Sequence, residues 1–286
     1  MNGTNAGGSK KGVAFLHISA FLLVIVLNSL AVFLPLNGKT TGQLSDLYPN
    51  LFTPAGLTFS IWSLIYLMLL GFVIYQAIVL FKTQHPSRKK IILISWPFLV
   101  NCLANAAWIV AWHFEQVVLS VFIMLILLIS LIVIHSRLQL ALPAKPLAEK
   151  LWLDYPFSLY FGWISIATIA NITALLVHLN WNGGGISSPA WTVVMISIGT
   201  LLNVYMILFK KNLAFGLVGI WAFYGIILKR HSADDDNINQ IIFCAELCIS
   251  VLAFSIFLQI FRFWKRYADN GKDSEHTIIE NEISKE

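Results

Sequence analysis

Eight stretches of mainly apolar residues, at 13–34, 54–81, 91–114, 117–134, 156–179, 190–209, 213–228 and 238–263, follow one another along the chain with short polar links between them. About 20 apolar residues in a row match the hydrocarbon thickness of a bilayer when they coil into a helix. Helices satisfy all their backbone N–H and C=O groups internally, which hydrocarbon demands. The chain is therefore expected to be an all-α integral membrane protein with eight transmembrane helices. Its 286 residues are 58% hydrophobic and 12% charged, more apolar surface than a water-soluble domain of this length would bury. The stretch 213–228 is the shortest, and either crosses or re-enters. The stretch 13–34 exceeds a signal-peptide core and has no small-residue cleavage site before Pro35, so it reads as a retained first span.

Charge sets the expected orientation. With the N-terminus inside, sixteen of the nineteen lysines and arginines fall on the cytoplasmic side, and only Lys39, Lys229 and Arg230 face out. Both termini are then cytoplasmic, in a multi-pass protein of the cell membrane. The net charge of +5 is distributed over loops in this way, so no nucleic-acid partner is expected. Residues 1–12 and 265–286 are polar and read as disordered tails. Cys102, Cys244 and Cys248 all lie in apolar stretches, which implies buried thiols rather than a disulfide framework. Gly183, Gly184 and Gly185 lack the following Lys-Ser/Thr of a phosphate cradle, and Asp234, Asp235 and Asp236 read as a solvated loop.

Polar and aromatic residues inside the spans point to a site. Pro54 opens the second span, where the first helical turn has no use for its N–H. Phe59, Trp62 and Tyr66 then share a face, which serves either packing or binding. Asn101, Asn105, Trp108 and Trp112 fall at i, i+4, i+7 and i+11 on the third span. Trp163, Ala167, Asn171, Ala174 and His178 form a stripe on the fifth, with small residues that allow close helix approach. Under the orientation above, Asn28, Trp62, Tyr66, Asn105, Trp108, Asn171 and Glu246 lie in the outward halves of their spans. That pattern fits a cavity opening outward, or amide hydrogen bonds that only hold helices together. Glu246, a carboxyl within the eighth span, is a candidate proton carrier or ligand contact, or is protonated and hydrogen-bonded to a neighbour. Two histidine pairs, His17 with His135 and His113 with His178, lie at matched span ends, where interfacial placement needs no haem. No span holds a lysine for a retinal Schiff base, and no nucleophile and base pair or metal-ligand cluster emerges at defined spacing, so no enzyme is expected.

The chain resembles the tryptophan-rich sensory proteins, the TspO or translocator protein family. Pro54, Trp62 and Tyr66 stand at the family's second-helix spacing, Asn105, Trp108, Trp112 and His113 at its third-helix motif, and Trp163 and Asn171 at its fifth-helix positions. His113 replaces an aromatic ring, Thr53-Pro54 the paired prolines and Gly56 a loop tryptophan, while Pro156 sits three residues early. The resemblance implies a five-helix bundle over 13–180, followed by three additional spans over 181–264. It also implies a cavity beneath the loop between the first two helices that takes a hydrophobic, tetrapyrrole-like ligand such as a porphyrin. The resemblance further implies that no cofactor is required, that the chain acts as a sensor or translocator, and that it forms homodimers, which are common in the family. The binding residues expected are Pro54, Phe59, Trp62, Tyr66, Asn101, Asn105, Trp108, Trp112, Trp163 and Asn171. The alternative is a proton-coupled small-molecule transporter in which Glu246 carries the proton.

Overall fold

The computed structural model describes residues 5–34, 36–82, 84–138, 145–231 and 238–283. The run Asp234 to Asp236 lies outside them. The helices in chain order are α1 (Asn5–Phe33), α2 (Thr41–Asp46), α3 (Ile61–Phe81), α4 (Arg88–His113), α5 (Val117–Leu138), α6 (Leu147–Glu149), α7 (Tyr155–His178), α8 (Ser188–Leu208), α9 (Leu213–His231) and α10 (Asn239–Ile283). Eight helical segments are long and apolar enough to cross a membrane, including Leu213–His231. At 1.5 Å per residue its 19 residues give about 28 Å, close to the thickness of the hydrocarbon layer.

At the two ends, α1 starts at Asn5 and α10 continues to Ile283. A helix already nucleated by an apolar span adds residues without a new nucleation penalty, so polar flanks are drawn into it.

Five long helices close into a ring in the order α1, α3, α7, α5, α4, with α4 returning to α1. α8, α9 and α10 pack on one another as a second unit, which docks mainly through α9 onto α7. Gly162 permits that docking, because a Cβ there would lie 3.0 Å from the Val218 side chain and 3.2 Å from the Phe215 carbonyl oxygen. Small residues at a crossing let backbones approach in this way, which matters where the surrounding lipid offers no hydrophobic drive for association.

The two ends of the ring are built differently. At the end where α3 meets α4, Tyr75, Ser87 and Glu149 form a hydrogen-bonded chain with links of 2.8 Å, and Lys90 pairs with Glu149. Lys145 reaches both Asp154 oxygens at 2.8 and 3.0 Å. These ties fix a π-helical turn, Lys150–Asp154, whose Trp152 ring fills the space left by the missing side chain of Gly71. Further along the axis Phe72, Phe98 and Phe157 meet edge to face with centroids 4.9 to 6.0 Å apart and plug the bundle. The opposite end is covered by residues 36–60, the lid, and leaves a cavity beneath it.

Candidate functional site

The lid is ordered by its own short-range chemistry. Thr40 and Gln43 form a capping box that starts α2. Asn50 gathers the next turn, accepting from the Phe52 and Thr53 N–H groups at 3.0 and 2.8 Å and donating to the Tyr48 carbonyl and Thr53 hydroxyl, each at 2.8 Å. Pro54 and a 3-10 turn over Gly56–Ser60 then lead into α3.

Two sets of contacts hold the lid down. On the α4 side, fully buried His113 donates from Nδ1 to the Leu36 carbonyl at 3.1 Å and accepts at Nε2 from the Thr41 hydroxyl at 3.2 Å. Asn37 donates to the His113 carbonyl at 3.1 Å, and Lys39 pairs with Glu115 at 2.7 Å. On the α9 side, the Ala55 N–H donates to the Gly225 carbonyl at 2.9 Å and Trp221 Nε1 donates to the Thr58 carbonyl at 3.0 Å. Lys229 pairs with Asp46 at 2.6 Å.

Beneath the lid the walls are aromatic and small. Trp62 stands at the centre, stacked on Tyr66 at 5.3 Å, tilted against Trp108 at 6.2 Å and perpendicular to Trp163 at 6.2 Å. Trp108 stacks on Trp112 at 6.0 Å and 10°, and Phe59 meets Trp163 edge to face at 5.9 Å. Ala167, Ala170 and Ala174 of α7 keep the remaining wall low, while Thr41 and Ser45 face it from the lid. Tyr48 closes the rim between Trp112 and His178, and burial together with the Glu115 carboxylate pushes its phenol pKa up, keeping it neutral. No charged side chain lines the cavity among the described residues.

The space is about 40 Å³, room for about three water molecules. A site for a drug-sized ligand measures roughly 300–1,000 Å³. The cavity is thus too small for such a ligand in this structure, and a large ligand needs the lid or the indoles to move.

Two hydrogen-bond networks support the cavity. Trp108 Nε1 donates to Asn171 Oδ1 at 3.1 Å, and Asn171 Nδ2 donates to Ser120 Oγ at 3.0 Å. One layer deeper, Asn105 Oδ1 accepts from Asn28 Nδ2 at 2.9 Å and the Tyr66 hydroxyl at 3.3 Å, while its Nδ2 donates to the Tyr160 hydroxyl at 2.7 Å. The indole N–H groups of Trp112 and Trp163 differ from these. Both are buried and have no hydrogen-bond partner, although the side chains that carry them line the cavity.

Of the expected binding residues, Pro54, Phe59, Trp62, Trp108, Trp112, Trp163 and Asn171 line the cavity. Tyr66 and Asn105 form its floor through the network just described. Asn101 belongs elsewhere: it donates to Ser130 Oγ at 2.8 Å, tying α4 to α5. Sharing a helical face with Asn105 did not bring it to the cavity, because it sits a full turn, about 6 Å, further from the lid. Glu246 is exposed on α10, which packs on α8 and α9 rather than on the five-helix ring. The structure does not bring its carboxyl to the cavity. Nor do the histidines pair: His17 bonds Gln76 and the Ser95 carbonyl, and His135 lies against Phe161. Sequence reasoning missed Tyr160 and Ser120, and the lid residues Thr41, Ser45 and Thr53. Tyr160 had a signal, since it precedes Trp163 by three residues and so shares its helical face.

No curated protein and no solved structure matches the chain. A family model described as TSPO-like protein matches residues 14–258, a range that includes most of α1, the rest of the five-helix ring, α8, α9 and most of the membrane-crossing part of α10. With that match extending over far more than half of its length, and with the aromatic cavity set beneath the loop between its first two spans, this eight-span membrane protein belongs to the TSPO-like family.

Proposed function

We propose that the protein binds a flat, largely apolar ligand bearing at least one hydrogen-bond acceptor, of which a tetrapyrrole is the leading example, in the cavity beneath the lid, and that it acts as a sensor or translocator. The lid then faces outward and both termini are cytoplasmic, as the lysine and arginine distribution favours.

The observation that carries this reading is the pair of unpaired indole N–H groups. Trp112 and Trp163 are only 5% and 2% exposed, and a buried donor left without a partner costs about 1–3 kcal/mol. A ligand carbonyl or carboxylate that reached either N–H would recover that energy. The stacked indoles supply the flat apolar surface such a ligand needs, and Trp108, already bonded to Asn171, offers only its face.

A fluorescence titration with protoporphyrin tests it. Saturable quenching is expected in the wild type, with the midpoint weakened about threefold to tenfold in Trp112→Phe and in Trp163→Phe, each of which keeps a ring and loses one N–H. Quenching that never saturates, or midpoints that do not move in either variant, would overturn the reading.

A further inference from the structure

The lid is anchored on two sides, and only one of them belongs to the five-helix ring. The α4 side holds its beginning, through His113 and through Lys39 with Glu115. The α9 side holds its middle and end, at Asp46, Ala55 and Thr58. Two of the three contacts on the α9 side engage lid backbone: the Ala55 N–H on the Gly225 carbonyl and the Thr58 carbonyl on Trp221 Nε1. They therefore register where the lid lies, whatever its side chains. Gly225 makes the fit, because a Cβ there would lie 2.0 Å from Thr58 Oγ1. The third contact is ionic, between Lys229 and the exposed carboxylate of Asp46, with buried Arg230 adding positive charge beside it.

We propose that the second unit, α8 to α10, is the latch of the lid: α9 holds residues 46–58 closed over the cavity, and its release admits the ligand. This rests on the cavity being the ligand site. A space of about 40 Å³ must widen, by movement of some part, before it takes a drug-sized ligand. The indoles on α4 and α7 are buried within the ring, whereas the lid is a partly exposed loop tied at discrete points. Breaking the α9 contacts frees the end of the lid that leads into α3 and leaves the α4 anchor intact as a hinge. A role for the second unit follows: it sets how often the site is open, without touching the ligand.

The test reads the lid directly, in the full chain in lipid nanodiscs without ligand. Ser45→Cys places a thiol on the cavity side of the lid, and its rate of reaction with a membrane-impermeant maleimide reports opening, after subtraction of the background from Cys102, Cys244 and Cys248. Trp221→Phe combined with Lys229→Ala is expected to raise that rate at least tenfold, whereas Leu217→Ala, an exposed change on the same helix, leaves it unchanged. In the carrier of Ser45→Cys alone, raising salt from 0.05 to 1 M is expected to raise the rate about twofold by screening the ion pair with Asp46. That arm does not depend on the double variant folding. Equal rates in latch variant and parent, with no salt response, would overturn the proposal. Absence of protoporphyrin quenching alongside accelerated labelling would instead defeat the ligand reading and leave the latch standing.

Discussion

Replacing Asn105 by Ala should destabilise the bundle far more than an exposed substitution would. The side chain is 1% exposed and makes three hydrogen bonds, at 2.7, 2.9 and 3.3 Å, to residues on α1, α3 and α7. Side-chain hydrogen bonds between membrane helices average about 0.6 kcal/mol and reach about 1.7 kcal/mol. Three of them therefore account for about 2 kcal/mol. The Tyr66 and Tyr160 hydroxyls would also lose their partner in a buried layer, which brings the expected loss to about 2–5 kcal/mol. Reversible unfolding in mixed micelles against added sodium dodecyl sulfate measures it. Tyr66→Phe, which removes only the longest bond, should cost under about 1 kcal/mol in the same assay. A loss below about 0.5 kcal/mol for Asn105→Ala would mean that water replaces the amide, refuting its role as the hub of the floor. Weakened ligand binding with unchanged stability would place Asn105 against the ligand rather than beneath it.

Two further outcomes are expected. Gly71→Ala puts a methyl 2.1 Å from the Trp152 ring and should destabilise the protein by about 1–3 kcal/mol in the same unfolding assay, despite the better helix propensity of alanine. Glu246→Gln should leave the midpoint of protoporphyrin quenching within about twofold of wild type, because α10 packs on α8 and α9 and Glu246 is exposed there; a larger change would show that the carboxyl communicates with the cavity.

The spans and most of the cavity were legible in the sequence for one physical reason. Hydrocarbon imposes a length on apolar runs, and polar or aromatic residues inside them turn inward, so Trp62, Trp108 and Asn171 could be placed by spacing and depth, and Trp163 by its stripe on the fifth span together with the family resemblance. Rotation about the helix axis was harder to read. Where lipid is as apolar as the core, an apolar helix carries little periodic signal, and Glu246 on α10 gave no hint of which way it faced. Asn101 shows the same limit along the axis, since a shared face did not mean a shared depth with the cavity. The lid contacts were illegible for another reason. Trp221 and Thr58 lie 163 residues apart, and the Gly225 carbonyl that meets the Ala55 N–H is backbone, which carries no side-chain signature.

The small volume of the cavity has a thermodynamic consequence. A ligand that fits only an open form binds with an apparent dissociation constant equal to its intrinsic value divided by the open fraction. If the protein were open about 1% of the time, every ligand would bind about a hundredfold more weakly than its contacts alone dictate. That factor would be the same for all ligands, so it would set the concentration range over which the protein responds without altering its preference among them. Substitutions at Trp221 or Gly225 would then tune sensitivity, and those at Trp112 or Trp163 selectivity, two properties assigned to separate helices of one chain.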